Sequence, residues 1–319
     1  MKLIREGKPV ALPTETVYGL AADALCPQAV RSIFTIKGRP PNDPLIVHVA
    51  DFEQVERIAF APSVLANLAD AFWPGPLTVV LRKKDFIPDI VTSGLSTVAV
   101  RVSAHPLFNE ILQAVDRPLA APSANPFGYV SPTRAEHVVS SFGERSPHVL
   151  DGGPTDHGIE STILSLIDPG APTILRPGPL SAGDLAEILG SPPTIQPICD
   201  DAVPQAPGNL KHHYSPNVSL QLHPDPATIR SEIEDCANPQ SVGVLLIKRP
   251  SETENWPAGL KLGWLSEEGD LREVASRIYD ALRKLDADPL IEIVHCQTPP
   301  EKDIGSAIND RLRRAAAQV

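Results

Sequence analysis

Apolar runs of two different periods alternate along the first 190 or so residues, and this alternation constrains the fold more than any other property of the chain. "KPVALP", "PLIVHVA", "LTVVLRK", "STVAVRVSAH", "PLAAPSAN" and "ESTILSLID" read as strands, bounded by Pro, Gly or Ser. Between them, "PQAVRSIFTIKGRP" carries Val30, Ile33 and Phe34 at helical spacing. "FEQVERIAF", "PSVLANLADAFWPGP" and "PLFNEILQAV" likewise place apolar residues every three or four positions. Strands interleaved with helices predict an α/β domain over residues 1–190.

Residues 191–217 break the rhythm with six prolines and no periodicity, the composition of a linker. Beyond it, "SVGVLLIKR" and "LIEIVHC" read as buried strands. Leu271, Val274, Ile278, Leu282 and Leu285 form one helical stripe, and "IGSAINDRLRRAA" a final helix. Residues 218–319 are therefore expected to form a small Rossmann-like, three-layer α/β domain.

Composition limits the function. With 319 residues and 42% hydrophobic content the chain can bury the cores of about two domains. A net charge of −11, with acidic side chains in excess on both sides of residue 185, speaks against a dedicated nucleic-acid binder. Any phosphate recognised is expected to belong to a small molecule. Cys26, Cys199, Cys236 and Cys296 lie far apart without C-x-x-C spacing, which argues against a disulfide framework or a zinc site and for a reducing compartment. "MKLIREGKPV" lacks the apolar core of a signal peptide, and no uncharged apolar run of about 18 residues occurs, so a cytoplasmic location is expected.

Polar residues punctuate the apolar segments. In "ALPTETVYGLAADA" a strand ends at Pro13 and hydroxyl side chains follow; they form either a ligand-facing rim or the cap of a helix running through Ala21 and Ala22. No P-loop, H-E-x-x-H or clustered Cys/His motif is present, so no metal ligand set is expected. Lys37 and Arg39 in "IKGRPPNDPL" fall on a rigid loop, either as a polyphosphate clamp or as ordinary surface charges. His48 lies among apolar neighbours as a core histidine or a ligand contact. Arg101 closes "TVAVR", paired either with a protein carboxylate or with a substrate's. "APSANPFGYVSPT" offers Ser123, Asn125 and Ser131 in a loop, "GIESTI" offers Ser161 and Thr162, and "ILRPGPLS" offers Arg176. "KHHYSP" places His212, His213 and Tyr214 where rings could cover a bound purine; adjacent histidines without a third ligand are a poor metal site.

In their order, "PTETVYGLAADA", "IKGRPPNDPLIVHV", "WPGPLTVVL", "VAVRVSAHP", "APSANPFGYVSPT", "DGG…GIESTILSL" and "ILRPGPLS" closely resemble the YrdC/Sua5 family over about residues 7–185. "APGNLKHHYSP" and "GSAINDRLRRAA" resemble the linker and C-terminal domain of its longer, Sua5-type members. The resemblance implies a twisted mixed sheet with flanking helices, then the linker and the small second domain.

As activity, the resemblance implies L-threonylcarbamoyladenylate synthesis from L-threonine, bicarbonate or CO2, and ATP with Mg2+, a nucleotidyl transfer releasing pyrophosphate. The adenylate would pass to a separate transferase complex for N6-threonylcarbamoyladenosine in tRNAs reading codons that start with A, with no tight tRNA binding and no membrane partner. Position by position, the resemblance implies a catalytic set of Lys37, Arg39, Ser123 and Asn125. It implies threonine contacts at Thr16, His48, Arg101, Ala121 and Ser161, and nucleotide contacts at Arg39, Asp43, Thr97, Ser123, Ser131, Arg176 and Tyr214. Arg101 would pair the threonine carboxylate, and the linker would close over the nucleotide as a lid. Two other readings stand beside it: a double-stranded RNA-binding module, and a carbamoyl-transfer enzyme with another acceptor, whose relatives carry zinc-finger and acylphosphatase-like segments that this chain lacks.

Overall fold

The computed structural model describes residues 1–196, 214–251 and 256–317. They fall into two compact units, one built on Met1–Phe127 and continuing from Ser131, the other on Gly128–Val130 and the described residues from Tyr214 on. No sequence pattern pointed to the short segment 128–130 as part of the second unit.

The strands of the first unit are β1 (Val10–Leu12), β2 (Gly19–Asp23), β3 (Ile46–His48), β4 (Ala59–Phe60), β5 (Leu77–Lys83), β6 (Thr97–Arg101), β7 (Leu119–Ala120), β8 (His148–Val149), β9 (Thr162–Ser165), β10 (Thr173–Arg176) and β11 (Thr194–Ile195). Its helices are α1 (Lys2–Arg5), α2 (Pro27–Lys37), α3 (Phe52–Ile58), α4 (Val64–Phe72), α5 (Asp89–Thr92), α6 (Pro106–Val115), α7 (Ala135–Phe142) and α8 (Ala182–Leu189). The strands form one mixed sheet in the order β11-β10-β9-β5-β6-β3-β7-β2-β1-β8, with β4 beside β5. β3 pairs parallel to β6 and antiparallel to β7, so the expected twisted mixed sheet is present.

Register decides what each face carries. The pairs His48↔Arg101, Ile46↔Ala99, Val80↔Ala99 and Arg82↔Thr97 put those side chains on one face, and Thr78↔Ile163 joins them. Val47, Val79, Leu81, Val98 and Val100 point the other way, into the main core with Val30, Ile33 and Phe34 of α2 and Leu65 and Leu68 of α4. The first face divides. One part, with Leu12, Ala21 and Ala121, lies under Ile4 of α1 and Phe108 and Leu112 of α6. The other is a small patch of Ile46, Val80, Ala99, Ile163 and Leu175, to which no described helical residue contributes.

Three local expectations are corrected. The helix-cap reading of "PTET" fails, because Ala21 and Ala22 are strand residues of β2 paired with Val10 and Ala120, so their backbone groups are spent in two ladders. "PLAAPSAN" keeps only two strand residues and continues as a loop tied to β2 by the Gly19↔Ser123 bridge. Lys37 is the last residue of α2, not part of a loop; Gly38, at φ 63, ends the helix in the left-handed conformation that glycine adopts without a Cβ clash.

In the second unit, β12 (Ser219–His223), α9 (Pro226–Ile233), β13 (Val242–Lys248), β14 (Lys261–Ser266), α10 (Leu271–Asp286), β15 (Ile293–Gln297) and α11 (Ile304–Ala316) build a four-stranded sheet in the order β12-β15-β13-β14. Every pair in it is parallel. Ile229 and Ile233 of α9 pack on Val242, Val244 and Leu246. Leu285 of α10 lies against Gly243 on the opposite face, and α11 packs on α10, so the three-layer expectation holds. No described helix is long and apolar enough to cross a membrane.

Candidate active site

The turn between β1 and β2 is held by its own hydroxyls. Thr14 Oγ1 donates to the Val17 carbonyl at 2.7 Å and accepts from the Thr16 and Val17 amides. This orders residues 14–17 without a helix and turns Glu15 and Thr16 toward the end of β6. There Arg101 donates to Glu15 Oε1 at 2.6 Å, to Thr16 Oγ1 at 3.0 Å and to the Gly75 carbonyl at 3.2 Å. Ser103 Oγ donates to the second Glu15 oxygen at 2.5 Å. Burial raises the Glu15 pKa, but the Arg101 charge and the hydrogen bonds from Ser103 and Arg101 outweigh it and pull it down to about 2. Of the two readings for Arg101, the protein-carboxylate pair is therefore realised.

His48 neighbours this pair on β3. Its ring packs on Phe108 at 4.8 Å between centroids, and burial together with the Arg101 charge drives its pKa down to about 3, so the ring is neutral. Its Nδ1 is buried and has no hydrogen-bond partner among the described residues, which leaves one polar atom open to a ligand. Ala121 lies beside it, its amide donating to the Ile46 carbonyl.

A second cluster forms where α2 ends. Lys37 Nζ donates to the carbonyls of Ser123 and Asn125, both at 2.6 Å, and the Phe127 amide returns a bond to the Lys37 carbonyl. The Leu20 and Ala124 amides complete the stitching, bonding the carbonyls of Pro122 and Tyr18. Arg39 donates to the Pro44 carbonyl at 2.7 Å and faces Asp43 Oδ2 at 2.9 Å, with both side chains almost wholly buried. Burial lowers the Lys37 pKa well below its ordinary value, with Arg39 adding to this and Asp43 opposing it. For Asp43, burial raises the pKa against the lowering charges of Arg39, which pairs with it, and of Lys37 and Arg176.

A third group sits at the start of β9. Ser161 Oγ bonds Thr78 Oγ1 at 2.7 Å and receives Arg176 Nη2 at 3.1 Å, while Arg176 also donates to the Ser161 carbonyl. Ser131 Oγ donates to Glu160 Oε1 at 2.5 Å. Gly178 lies so close to this strand that a Cβ there would stand 2.3 Å from the Thr162 nitrogen.

The fold thus gathers Lys37, Arg39, Asp43, Ser123, Asn125 and Arg176 by contact or charge, and Thr16, His48, Arg101 and Ala121 around the end of β3 and β6. Thr97 shares the Arg101 face but opens the strand, about 13 Å away at the usual rise per residue. Tyr214 is buried in the second unit, stacked on Tyr279 at 5.9 Å with the Arg311 guanidinium over its ring at 5.2 Å. His212, His213 and most of the expected lid lie outside the described residues. The sequence reading missed Glu15, Ser103, Thr78 and Glu160. Glu15 carried a usable signal, a carboxylate between two threonines in an otherwise apolar run; the others acquire partners only through strand pairing.

Comparison with known proteins places these motifs. The Sua5/YciO/YrdC family model, described as "Telomere recombination", matches residues 2–178, and that of the threonylcarbamoyl-AMP synthase C-terminal domain matches residues 180–317. The chain is 38% identical to a threonylcarbamoyl-AMP synthase of Pyrococcus abyssi, over 98% of this chain and 92% of that protein. It is equally similar, at 38%, to one of Bacillus subtilis, over 98% of this chain and 91% of the other. The crystal structure of P. abyssi Sua5 complexed with L-threonine superposes with a TM-score of 0.89 and 38% identity, covering 99% of this chain and 92% of that one.

Proposed function

The chain belongs to the Sua5/YciO/YrdC family, and on that footing we propose that it makes L-threonylcarbamoyl-AMP from L-threonine, bicarbonate or CO2, and ATP, releasing pyrophosphate, for tRNA threonylcarbamoylation. The observation that carries this reading is that one unit gathers Arg101, Thr16 and neutral His48 at the end of β3 and β6 together with the Lys37, Arg39 and Arg176 charges that act on Asp43. An amino acid and a polyphosphate need such a pairing of a carboxylate fork with a cation cluster.

In this reading the threonine carboxylate shares the Arg101 fork with Glu15, and the substrate hydroxyl meets Thr16, Ser161 or the open His48 Nδ1. The threonine amine and CO2 form a carbamate, whose oxygen attacks the α-phosphorus of ATP. One P–O bond forms, the bond to the β-phosphate oxygen breaks, and pyrophosphate leaves with the electron pair. Lys37, Arg39 and Arg176 offset that charge, while the buttressed Ser123–Asn125 loop positions the nucleotide. No protein nucleophile takes part, so catalysis rests on positioning and electrostatics.

Mg2+ belongs with the nucleotide. When bound it would supply positive charge against the phosphates. Asp43 faces Arg39, Glu15 is bound by Arg101 and Glu160 by Ser131, so these carboxylates form no oxygen cage and the ion fits only as one carried on ATP. The family reading also supplies the nucleotidyltransferase class, a cytoplasmic setting, hand-over of the adenylate to a separate transferase, and the nucleotide roles of Thr97, Ser131 and Tyr214. Against an RNA-binding face, Lys37, Arg39, Arg101 and Arg176 are recessed inside the first unit and present no open row of exposed cations for a duplex backbone to track.

The test is incubation of the full chain with ATP, bicarbonate and threonine, following pyrophosphate and the adenylate, with serine as competitor. Threonine-dependent release of both products is expected. Pyrophosphate release that ignores threonine overturns the reading.

A further inference from the structure

The second unit contains a cluster that the reaction above does not use. His223 closes β12, His295 lies on β15, and Glu232 lies on α9; the three offer ligand atoms all within 4.8 Å of one another. His223 Nε2 and His295 Nδ1 are 2.9 Å apart with both rings buried, and Glu232 Oε1 is 3.9 Å from His223 Nδ1 at the solvent side. Strand pairing brings the histidines together from 72 positions apart: Gln221↔His295 and Val244↔His295 place both rings on the face that α9 covers.

We propose that His223, His295 and Glu232 form a divalent transition-metal site, with zinc the best-fitting ion. Two imidazole nitrogens and one carboxylate oxygen are a donor set that zinc takes, and two nitrogens on one zinc stand about 3.3 Å apart, close to the separation here. A cation between the rings takes the place of the proton held in the 2.9 Å nitrogen–nitrogen contact; in the neutral pair that proton shifts to the other nitrogen of its own ring, so both imidazoles bind as neutral ligands. Glu232, the exposed member, closes the site from outside, and a fourth position is left for water or a ligand of the ion.

The location fits the topology. β12 and β15 are neighbours in a parallel sheet, yet α9 packs on one face while α11, which follows β15, packs with α10 on the other. His223 ends β12 and His295 lies two residues before the end of β15, so the pair sits near the carboxyl ends of two neighbouring parallel strands whose helices take opposite faces, the region where such sheets bind ligands.

The test uses the untagged, metal-stripped full chain titrated with Co2+ or Zn2+ alone, without nucleotide or threonine, so its outcome is separate from that of the proposed reaction. One equivalent is expected to bind, with the intense visible absorption of low-coordinate Co2+ and a rise in melting temperature on adding Zn2+. Glu232→Gln, on an exposed residue that folding does not need, should weaken binding about tenfold or more, and His223→Ala and His295→Ala should abolish it. Failure of the wild-type chain to bind either ion overturns the proposal. So does binding that survives Glu232→Gln and His295→Ala undiminished, or that disappears instead with His212→Ala and His213→Ala.

Discussion

Glu15 Oε1 stands 2.6 Å from Arg101 Nη2, an ion pair in which both side chains are almost fully buried. The guanidinium is thereby locked in place before any substrate arrives. An arginine already desolvated and oriented gives up little freedom on taking a second carboxylate, which is the physical meaning of preorganisation.

The pair makes stability depend on pH. The folded Glu15 pKa is depressed from an ordinary 4.5 to about 2, so its contribution is complete above pH 4.5 and disappears as pH falls toward 2. The shift corresponds to about 3 kcal/mol. Denaturant melts across that window should show the decline in wild type and a flatter profile in Glu15→Gln, which should also be less stable at neutral pH because Arg101 loses its buried partner. Parallel profiles for the two proteins would contradict the assignment.

Arg101→Lys keeps the charge but not the fork. We expect the KM for threonine to rise about tenfold or more while that for ATP changes little, since the fork that the threonine carboxylate shares with Glu15 is lost and the nucleotide-side cations are untouched. Steady-state kinetics with each substrate varied in turn decide it, and an unchanged threonine KM would reduce Arg101 to a structural ion-pair residue.

Lys37→Ala and Arg39→Ala should each lower adenylate formation at least about tenfold, the loss of a charge-assisted contact being worth roughly 1.5–3 kcal/mol. Lys37 carries a second expectation. Because its ammonium ties the Ser123 and Asn125 carbonyls, its loss should raise amide exchange in residues 123–127, whereas Arg39→Ala should leave that loop protected. Near-wild-type turnover in both variants removes them from the site.

Gly178→Ala tests the close approach behind Ser161. A Cβ at 2.3 Å from the Thr162 nitrogen and 2.6 Å from the Ser161 carbonyl carbon must push the backbone aside. A cost of about 1–3 kcal/mol or more is expected, with weaker substrate binding as Arg176 and Ser161 separate. Gly183→Ala, whose nearest contact is the Ser181 hydroxyl at 3.5 Å, is the control and should melt as wild type does.

What the sequence by itself determined are the properties carried by local pattern. The period of the apolar residues marked α2, α6 and α10, because one buried stripe repeating every three or four residues can be read without knowing what covers it. The order of the motifs marked the family, and the roles proposed for Lys37, Arg39, Arg101 and Ser161 rest on it. The short strands were less legible: Leu119–Ala120 is ordered by its neighbours on both sides and not by its own two residues. Only the tertiary structure decided the partners. Glu15 meets Arg101 across 86 positions, Lys37 meets Asn125 across 88, and His223 meets His295 across 72. A hydrogen bond depends on a separation of about 3 Å, and that separation is set by strand register, where a slip of one residue turns every side chain to the other face.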